Sequence, residues 1–148
     1  MRLDELTVED LMSVALVTVR KSESIRRADL SMRYADIRHL PVLDETGRLV
    51  GIVSDRDLLR AFAHSRQRTL IRVGDIMTRR LHTVRPETPA WRAAGLLLQY
   101  RISALPVVDR PRHLVGLVTE TDFLRVFRLV GERSRGGSDL RETAPHAS

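Results

Sequence analysis

The chain carries the sequence IRHLPVLDETGRLVGIVSDRDL at residues 37–58 and a second version, ISALPVVDRPRHLVGLVTETDF, at residues 102–123. Both versions hold a Leu-Pro-Val run, a turn that starts at an aspartate, and a Val-Gly run followed by a second aspartate. A shift of 65 residues, the distance from Asp57 to Asp122, superposes them without a gap. About 21 of the 53 positions from residue 8 to residue 60 are then identical. Identity at a fixed spacing indicates an internal repeat.

The repeats extend over residues 8–60 and 73–125, and a polar linker, residues 61–72, joins them. Beyond residue 131 the chain loses its apolar periodicity, so residues 131–148 are predicted to be a disordered tail. A unit of about fifty residues buries too little apolar surface to be stable alone. We therefore expect the two repeats to pack together about a pseudo-two-fold axis, with two related clefts between them.

Each repeat shows the same order of predicted elements after a short helical turn. A β-branched run predicts a strand at residues 16–19, matched by residues 81–84. Apolar residues three and four positions apart predict a helix that starts near residue 25. Two strands follow between residues 40 and 53, and a final helix starts near residue 54. The fold class is therefore mixed α/β (α+β), with two β-α-β-β-α units.

The composition is typical of a soluble protein with a packed core, because 43% of the residues are hydrophobic and 30% are charged. The absence of cysteine excludes disulfides, thiolate metal sites and cysteine nucleophiles. No apolar run is long enough to span a membrane, and the first residues lack the apolar segment of a signal peptide. We therefore expect a cytoplasmic protein without a membrane partner.

The formal charge is +6, and 24 of the 25 basic residues are arginines. Guanidinium groups match the geometry of phosphates, so this charge favours anionic ligands, although an arginine-rich solvated surface explains the same numbers. Nucleic-acid binding is an alternative function. Against it, acidic residues are interspersed throughout, no recognition-helix motif is present, and only six residues are Phe, Tyr or Trp. Nucleic acid is therefore not the expected partner.

The sequence contains no pattern typical of an enzyme. The five histidines show no spacing that gathers metal ligands, and there is no glycine-rich phosphate loop or nucleophile elbow. Isolated Ser, His and Asp residues occur without an arrangement that makes a triad. We expect a protein that is not an enzyme and requires neither a metal nor a cofactor.

The repeated strings, together with the lead-ins VEDLMS at residues 8–13 and VGDIMT at residues 73–78, resemble the cystathionine-β-synthase (CBS) domain. The resemblance covers almost the whole chain except its ends, and it is closest to the small stand-alone members with a tandem pair, or Bateman module. It implies a homodimeric disk that binds AMP, ADP, ATP or an S-adenosylmethionine-like ligand between the repeats. It also implies regulation of an unidentified effector protein, but a shared fold does not fix function.

The resemblance also assigns site residues, through the family motif Gly-x-x-Ser/Thr-x-x-Asp at residues 51–57 and 116–122. An ionised aspartate at a helix start can accept from both ribose hydroxyls, and the free N–H groups there suit a phosphate. The same pattern also caps a helix in the absence of any ligand. The implied contacts are Asp57 and Asp122 for ribose, Ser54, Thr119, Arg38 and His39 for phosphate, and Leu16, Val17, Leu81 and His82 for adenine.

Arg38 and His39 of the first repeat stand where the second repeat has Ser103 and Ala104. We therefore expect the two clefts to differ in charge, with one tighter site for ATP or ADP. The sequence leaves open which repeat's strand completes which cleft. Three functions follow from it: a sensor of adenosyl ligands as the leading interpretation, a nucleic-acid-binding protein, and a dimerisation scaffold with empty clefts.

Overall fold

The computed structural model describes residues 1–66 and 70–136, and within them it has the predicted mixed α and β architecture. In the first repeat, β1 pairs in parallel with β2, and β2 pairs antiparallel with β3. In the second repeat, β4 and β5 form an antiparallel pair, and Val84 alone takes the place of β1 by bridging to Val107 in parallel. The strands are β1 (Val19–Arg20), β2 (His39–Leu43), β3 (Leu49–Ser54), β4 (Ala104–Arg110) and β5 (His113–Thr119).

Helices cover each sheet and bury one apolar stripe against it. Ile25, Ala28 and Met32 are buried in the first repeat, and the equivalent Ala90, Ala93 and Leu97 are buried in the second. This confirms the helical periodicity predicted from the sequence. The helices are α1 (Val8–Leu11), α2 (Ile25–Ala35), α3 (Asp55–His64), α4 (Val73–Ile76), α5 (Ala90–Tyr100) and α6 (Glu120–Gly136).

The short lead-in helices α1 and α4 are exchanged between the repeats. Val8 of α1 lies in the core of the second repeat, and Val73 of α4 lies in the core of the first. The backbone enforces this exchange, because Val8 N–H donates to the carbonyl of Thr88 (2.8 Å) and Val73 N–H donates to that of Glu23 (2.8 Å). Each structural core therefore combines residues from both sequence repeats.

The chain crosses between the repeats directly after each lead-in helix. Ser13 exchanges two backbone hydrogen bonds with Leu117 of β5 (2.9 and 3.1 Å), and Thr78 exchanges two with Ile52 of β3 (2.9 and 3.1 Å). The strand predicted at residues 16–19 is therefore wrong for residues 16–18. Those residues must carry the chain from one repeat to the other, so they cannot also lie in the β1 ladder.

Two glycines allow the crossing segments to approach the sheets closely. A Cβ atom on Gly51 would lie 2.5 Å from Met77 Sδ and 3.0 Å from the carbonyl oxygen of Thr78. A Cβ atom on Gly116 would lie 2.6 Å from Met12 Sδ. The glycine of the repeated motif thus serves contact between the repeats.

Two predicted segment boundaries differ from the structure. Helix α3 runs to His64, inside the predicted linker, and α6 continues to Gly136, inside the predicted tail. The last turns of α6 are polar but are supported by the i,i+4 pair of Arg128 and Glu132 (3.6 Å). Loss of apolar periodicity there reflects exposure to solvent. The rest of the predicted tail, residues 137–148, lies outside the described residues.

Candidate ligand cavity between the repeats

A cavity of about 940 Å³ lies between the two repeats, and both repeats contribute to its walls. The two clefts predicted from the sequence run together into this one space. All ten residues proposed from the resemblance line it: Leu16, Val17, Arg38, His39, Ser54, Asp57, Leu81, His82, Thr119 and Asp122. The structure thus brings the predicted set together, while the role of each residue stays a prediction.

The crossing segments decide which strand residues accompany which aspartate. Thr78 is paired with Ile52, two residues before Ser54, so the segment that carries Leu81 and His82 is anchored at the motif of the first repeat. We call Ser54, Asp57, Leu81 and His82 the Asp57 half-site.

The other half of the cavity follows the same rule. Ser13 is paired with Leu117, two residues before Thr119, so the segment that carries Leu16 and Val17 is anchored at the motif of the second repeat. We call Thr119, Asp122, Leu16 and Val17 the Asp122 half-site. Each half-site therefore combines the motif of one repeat with the crossing segment of the other.

Both motif aspartates cap their own helices. Asp57 Oδ2 accepts from Ser54 N–H (2.8 Å) and Ser54 Oγ accepts from Asp57 N–H (3.2 Å), which is a capping box at the start of α3. Asp122 Oδ2 accepts from Thr119 N–H (2.8 Å) in the same way. Capping and ligand binding are compatible, because each carboxylate keeps its second oxygen, Oδ1.

The Oδ1 atoms differ between the half-sites. Asp122 Oδ1 accepts from Arg125 Nη1 at 3.2 Å, and only 8% of this side chain is exposed. Asp57 Oδ1 lies 3.9 Å from Arg60 Nη1, beyond hydrogen-bond distance, and 19% of this side chain is exposed. The carboxylate of Asp57 is therefore the more available acceptor.

His39 sits where the two repeats meet. Its Nε2 atom lies 2.7 Å from the hydroxyl oxygen of Ser103, so residues expected in clefts of different charge contact each other directly. Burial lowers the pKa of His39 below its ordinary value, while Asp55, Asp57 and Glu120 oppose this by attracting the proton. The site thus favours a neutral imidazole in the absence of ligand.

This lowered pKa predicts that the protein loses stability in mild acid. Well above pH 6.5, which is the ordinary pKa of histidine, His39 is neutral in both the folded and the unfolded chain. Below it the unfolded chain takes up the proton more readily, so the free energy of unfolding falls until the folded-state pKa is passed. Urea titrations at about pH 8 and about pH 5.5 measure this loss. The free energy of unfolding of His39→Gln should fall less between these two pH values than that of wild type. An equal fall would contradict the assignment of the acid sensitivity to His39.

The sequence interpretation missed several arginines that line the cavity. Arg60 and Arg125 stand three residues after the motif aspartates, at equivalent positions of the repeats, and this equivalence was a usable signal. Arg56, Arg80 and Arg101 also line the cavity but have no arginine at the equivalent position. The same wall also carries five acidic residues, so its guanidinium groups offer local contacts for a phosphate within a lining of mixed charge. The acidic residues are Asp36, Asp55, Asp57, Glu120 and Asp122.

Residues 1–66 and 70–136 contain neither a metal-ligand cluster nor a membrane-spanning helix. No group of three or more His, Asp or Glu side chains there is placed to hold a metal ion. No helix in the same range is both long enough and apolar enough to cross a bilayer.

Comparisons with known proteins agree with this architecture. The chain is 34% identical to the CBS domain pair of protein MJ0100, solved in complex with 5'-methylthioadenosine and S-adenosyl-L-methionine, with a TM-score of 0.77 over 84% of this chain and 98% of that one. It is also 34% identical to CBSX2 solved in complex with AMP, with a TM-score of 0.74 over 84% of this chain and 98% of that one.

Curated relatives are much longer proteins. The chain is 36% identical over 120 residues to L-aspartate semialdehyde sulfurtransferase of Methanocaldococcus jannaschii, covering 81% of this chain and 23% of that protein. It is 36% identical to homoserine O-acetyltransferase of Methanococcoides burtonii, covering 87% of this chain and 25% of that protein. The chain thus spans about a quarter of the length of these relatives.

The family model for the CBS domain matches residues 8–64 and 73–129, which include both repeats and both motif aspartates. The match covers most of the chain and occurs twice in tandem, as the internal repeat requires. This chain therefore belongs to the CBS domain family and forms a CBS domain pair.

Proposed function

We propose that the chain is a ligand-sensing regulatory module that binds an adenosyl ligand, such as AMP, ADP, ATP or S-adenosylmethionine, in the cavity between its repeats. One observation carries the proposal: Asp57 and Asp122, each with one oxygen left over from helix capping, line the same cavity beside apolar walls. The similar pairs solved with S-adenosylmethionine, 5'-methylthioadenosine and AMP support this ligand class.

The chemistry of the cavity suits each part of such a ligand. The Oδ1 atom of Asp57, which takes no part in the helix cap, can accept from ribose hydroxyls, and Leu81, with His82, offers a wall for the base. Arg38 lines the same cavity and offers a cationic guanidinium donor for a phosphate. No step requires a metal, a cofactor or a catalytic group, so the module acts by binding alone.

Regulation follows if the ligand binds one arrangement of the repeats more tightly than another, because only differential affinity shifts a conformational equilibrium. The repeats meet at polar contacts, such as the hydrogen bond between His39 and Ser103. The effector that responds to the ligand is a second protein or domain. The proposed location is a reducing cytoplasm, which fits a chain without cysteine.

Calorimetry against adenosine, AMP, ADP, ATP, S-adenosylmethionine and 5'-methylthioadenosine tests the proposal. We expect at least one of them to bind with a dissociation constant below the millimolar range and to raise the thermal unfolding temperature. Guanosine and cytidine nucleotides are the controls. Absence of binding by every adenosyl compound at millimolar concentration would overturn the proposal and favour a scaffold with an empty cavity.

We further propose that the pair is a homodimer, because large apolar side chains on α3 and α6 are exposed. Leu59 is 69% exposed, Leu124 is 70% exposed and Phe127 is 71% exposed. Leu58 is 2% exposed and packs inside its own repeat, so it cannot contribute. Apolar side chains at this exposure suit an interface.

Light scattering coupled to size exclusion should therefore find a dimer. Phe127→Glu should shift the protein toward monomer, because a charge would be buried in the interface. Val14→Glu, at a residue 70% exposed outside these helices, is the matched control and should leave the dimer unchanged. A wild-type monomer at high micromolar concentration would contradict this proposal.

A further inference from the structure

One aromatic pair distinguishes the two half-sites. The rings of His82 and Tyr100 are stacked, with their centroids 3.6 Å apart and their planes 16° from parallel. The equivalent residues of the first repeat, one repeat length earlier, are Val17 and Ala35. The crossing segment of the Asp57 half-site thus presents a supported aromatic ring, whereas that of the Asp122 half-site presents an aliphatic side chain.

The position of the pair lets one ring support the other. His82 lines the cavity and is half-buried. Tyr100 is the last residue of α5, and the left-handed backbone of Arg101 (φ 52°) ends the helix directly after it. Tyr100 covers one face of the imidazole, which leaves the opposite face for a ligand. The His82 ring therefore stacks against a residue at a helix terminus.

A planar base gains the most binding free energy when it stacks on a flat ring whose orientation is already set. Aromatic side chains stack on nucleobases, and a preorganised ring loses little conformational entropy when the base arrives. A valine at the equivalent position offers apolar contact without a stacking face. The more available carboxylate of Asp57, compared with that of Asp122, favours the same half-site for the ribose of the same nucleoside.

We infer that the Asp57 half-site is the tighter of two unequal adenosine sites, and that Tyr100 is a positioning residue that holds His82 as the stacking wall for adenine. This inference rests on the proposed function, since it assumes that adenosyl ligands enter the cavity. It goes further by naming the half-site that fills first. It also makes contact with the base, in addition to any phosphate, the source of the difference in affinity between the half-sites.

The test is calorimetry on the full chain with adenosine and AMP. His82→Ala, which removes the stacking ring, should weaken the tighter site by roughly 5- to 150-fold, the range of base stacking energies converted to affinity. Tyr100→Ala, which installs the residue found at the equivalent position of the first repeat and keeps His82, should weaken it by a measurable but smaller factor. Tyr100→Phe, which keeps the ring, should restore near wild-type affinity. Ribose 5-phosphate, which has no base, should bind wild type and Tyr100→Ala equally.

The reciprocal experiment introduces the same aromatic pair into the Asp122 half-site. The double variant Val17→His with Ala35→Tyr places the same pair in the Asp122 half-site and should strengthen the weaker site toward the tighter one. Equal affinity of wild type and Tyr100→Ala for adenosine, or a matching loss for ribose 5-phosphate, would overturn this inference alone. Failure of wild type to bind any adenosyl compound would overturn the proposed function and this inference with it.

Discussion

Asp57→Asn is expected to weaken AMP binding by about 10- to 150-fold, while the free energy of unfolding stays close to the wild-type value. The amide oxygen of the variant can still accept from Ser54 N–H, so the start of α3 remains capped. Its other terminal atom is then an NH₂ donor and cannot accept from ribose hydroxyls. Calorimetry gives the affinity, and urea unfolding gives the stability.

The chain supplies its own controls for this experiment. Asp10 and Asp75 cap α1 and α4 through the same contact, accepting from Thr7 N–H (2.8 Å) and Arg72 N–H (2.9 Å). Neither aspartate lines the cavity. Asp10→Asn and Asp75→Asn should therefore leave AMP affinity unchanged. If Asp57→Asn also binds AMP as wild type does, Asp57 serves only as a cap.

Gly51→Ala is expected to lower the free energy of unfolding by about 1–3 kcal/mol, the usual cost of overpacking a core. The added Cβ atom would lie 2.5 Å from Met77 Sδ and 3.0 Å from the carbonyl oxygen of Thr78. Met77 could move, but Thr78 is held by its two backbone bonds to Ile52. Chemical denaturation measures the loss.

Gly116→Ala is the matched comparison in the second repeat. There the three atoms nearest to the added Cβ atom would all belong to the Met12 side chain, at 2.6, 3.1 and 3.3 Å. A flexible methionine can rotate away, so this variant should lose less stability than Gly51→Ala. A larger loss for Gly116→Ala would show that backbone contact is not what limits the first site.

The repeat predicted much of the architecture. A gapless match with Leu-Pro-Val, turn and Val-Gly runs allows one order of elements, and the structure has that order in the first repeat. In the second repeat the strand predicted at residues 81–84 is reduced to a single bridge at Val84, and the remaining elements follow in the predicted order. The motif placed Asp57 and Asp122 at helix starts, where the structure also finds them, in one cavity. Local features of the sequence, such as the spacing of apolar residues and helix-capping motifs, are sufficient to predict the elements and the positions of these aspartates.

The exchange of the lead-in helices could not be predicted from the sequence. Val8 and Val73 occupy equivalent positions and carry the same side chain, so each fits either core equally well on apolarity alone. The contact of His39 with Ser103 and the stack of His82 on Tyr100 likewise depend on how the repeats meet. Periodicity describes one element at a time and carries no information about such long-range contacts.

The exchanged helices α1 and α4 make the two repeats interdependent in folding. In this structure neither repeat completes its core from its own stretch of chain, because Val73 packs in the core of the first repeat and Val8 in the core of the second. Unfolding of one repeat should expose the core of the other repeat to solvent, so the pair should unfold in a single cooperative transition. A polypeptide cut within the linker should therefore hold together as two interlocked fragments, and each fragment should be less stable alone than in the pair.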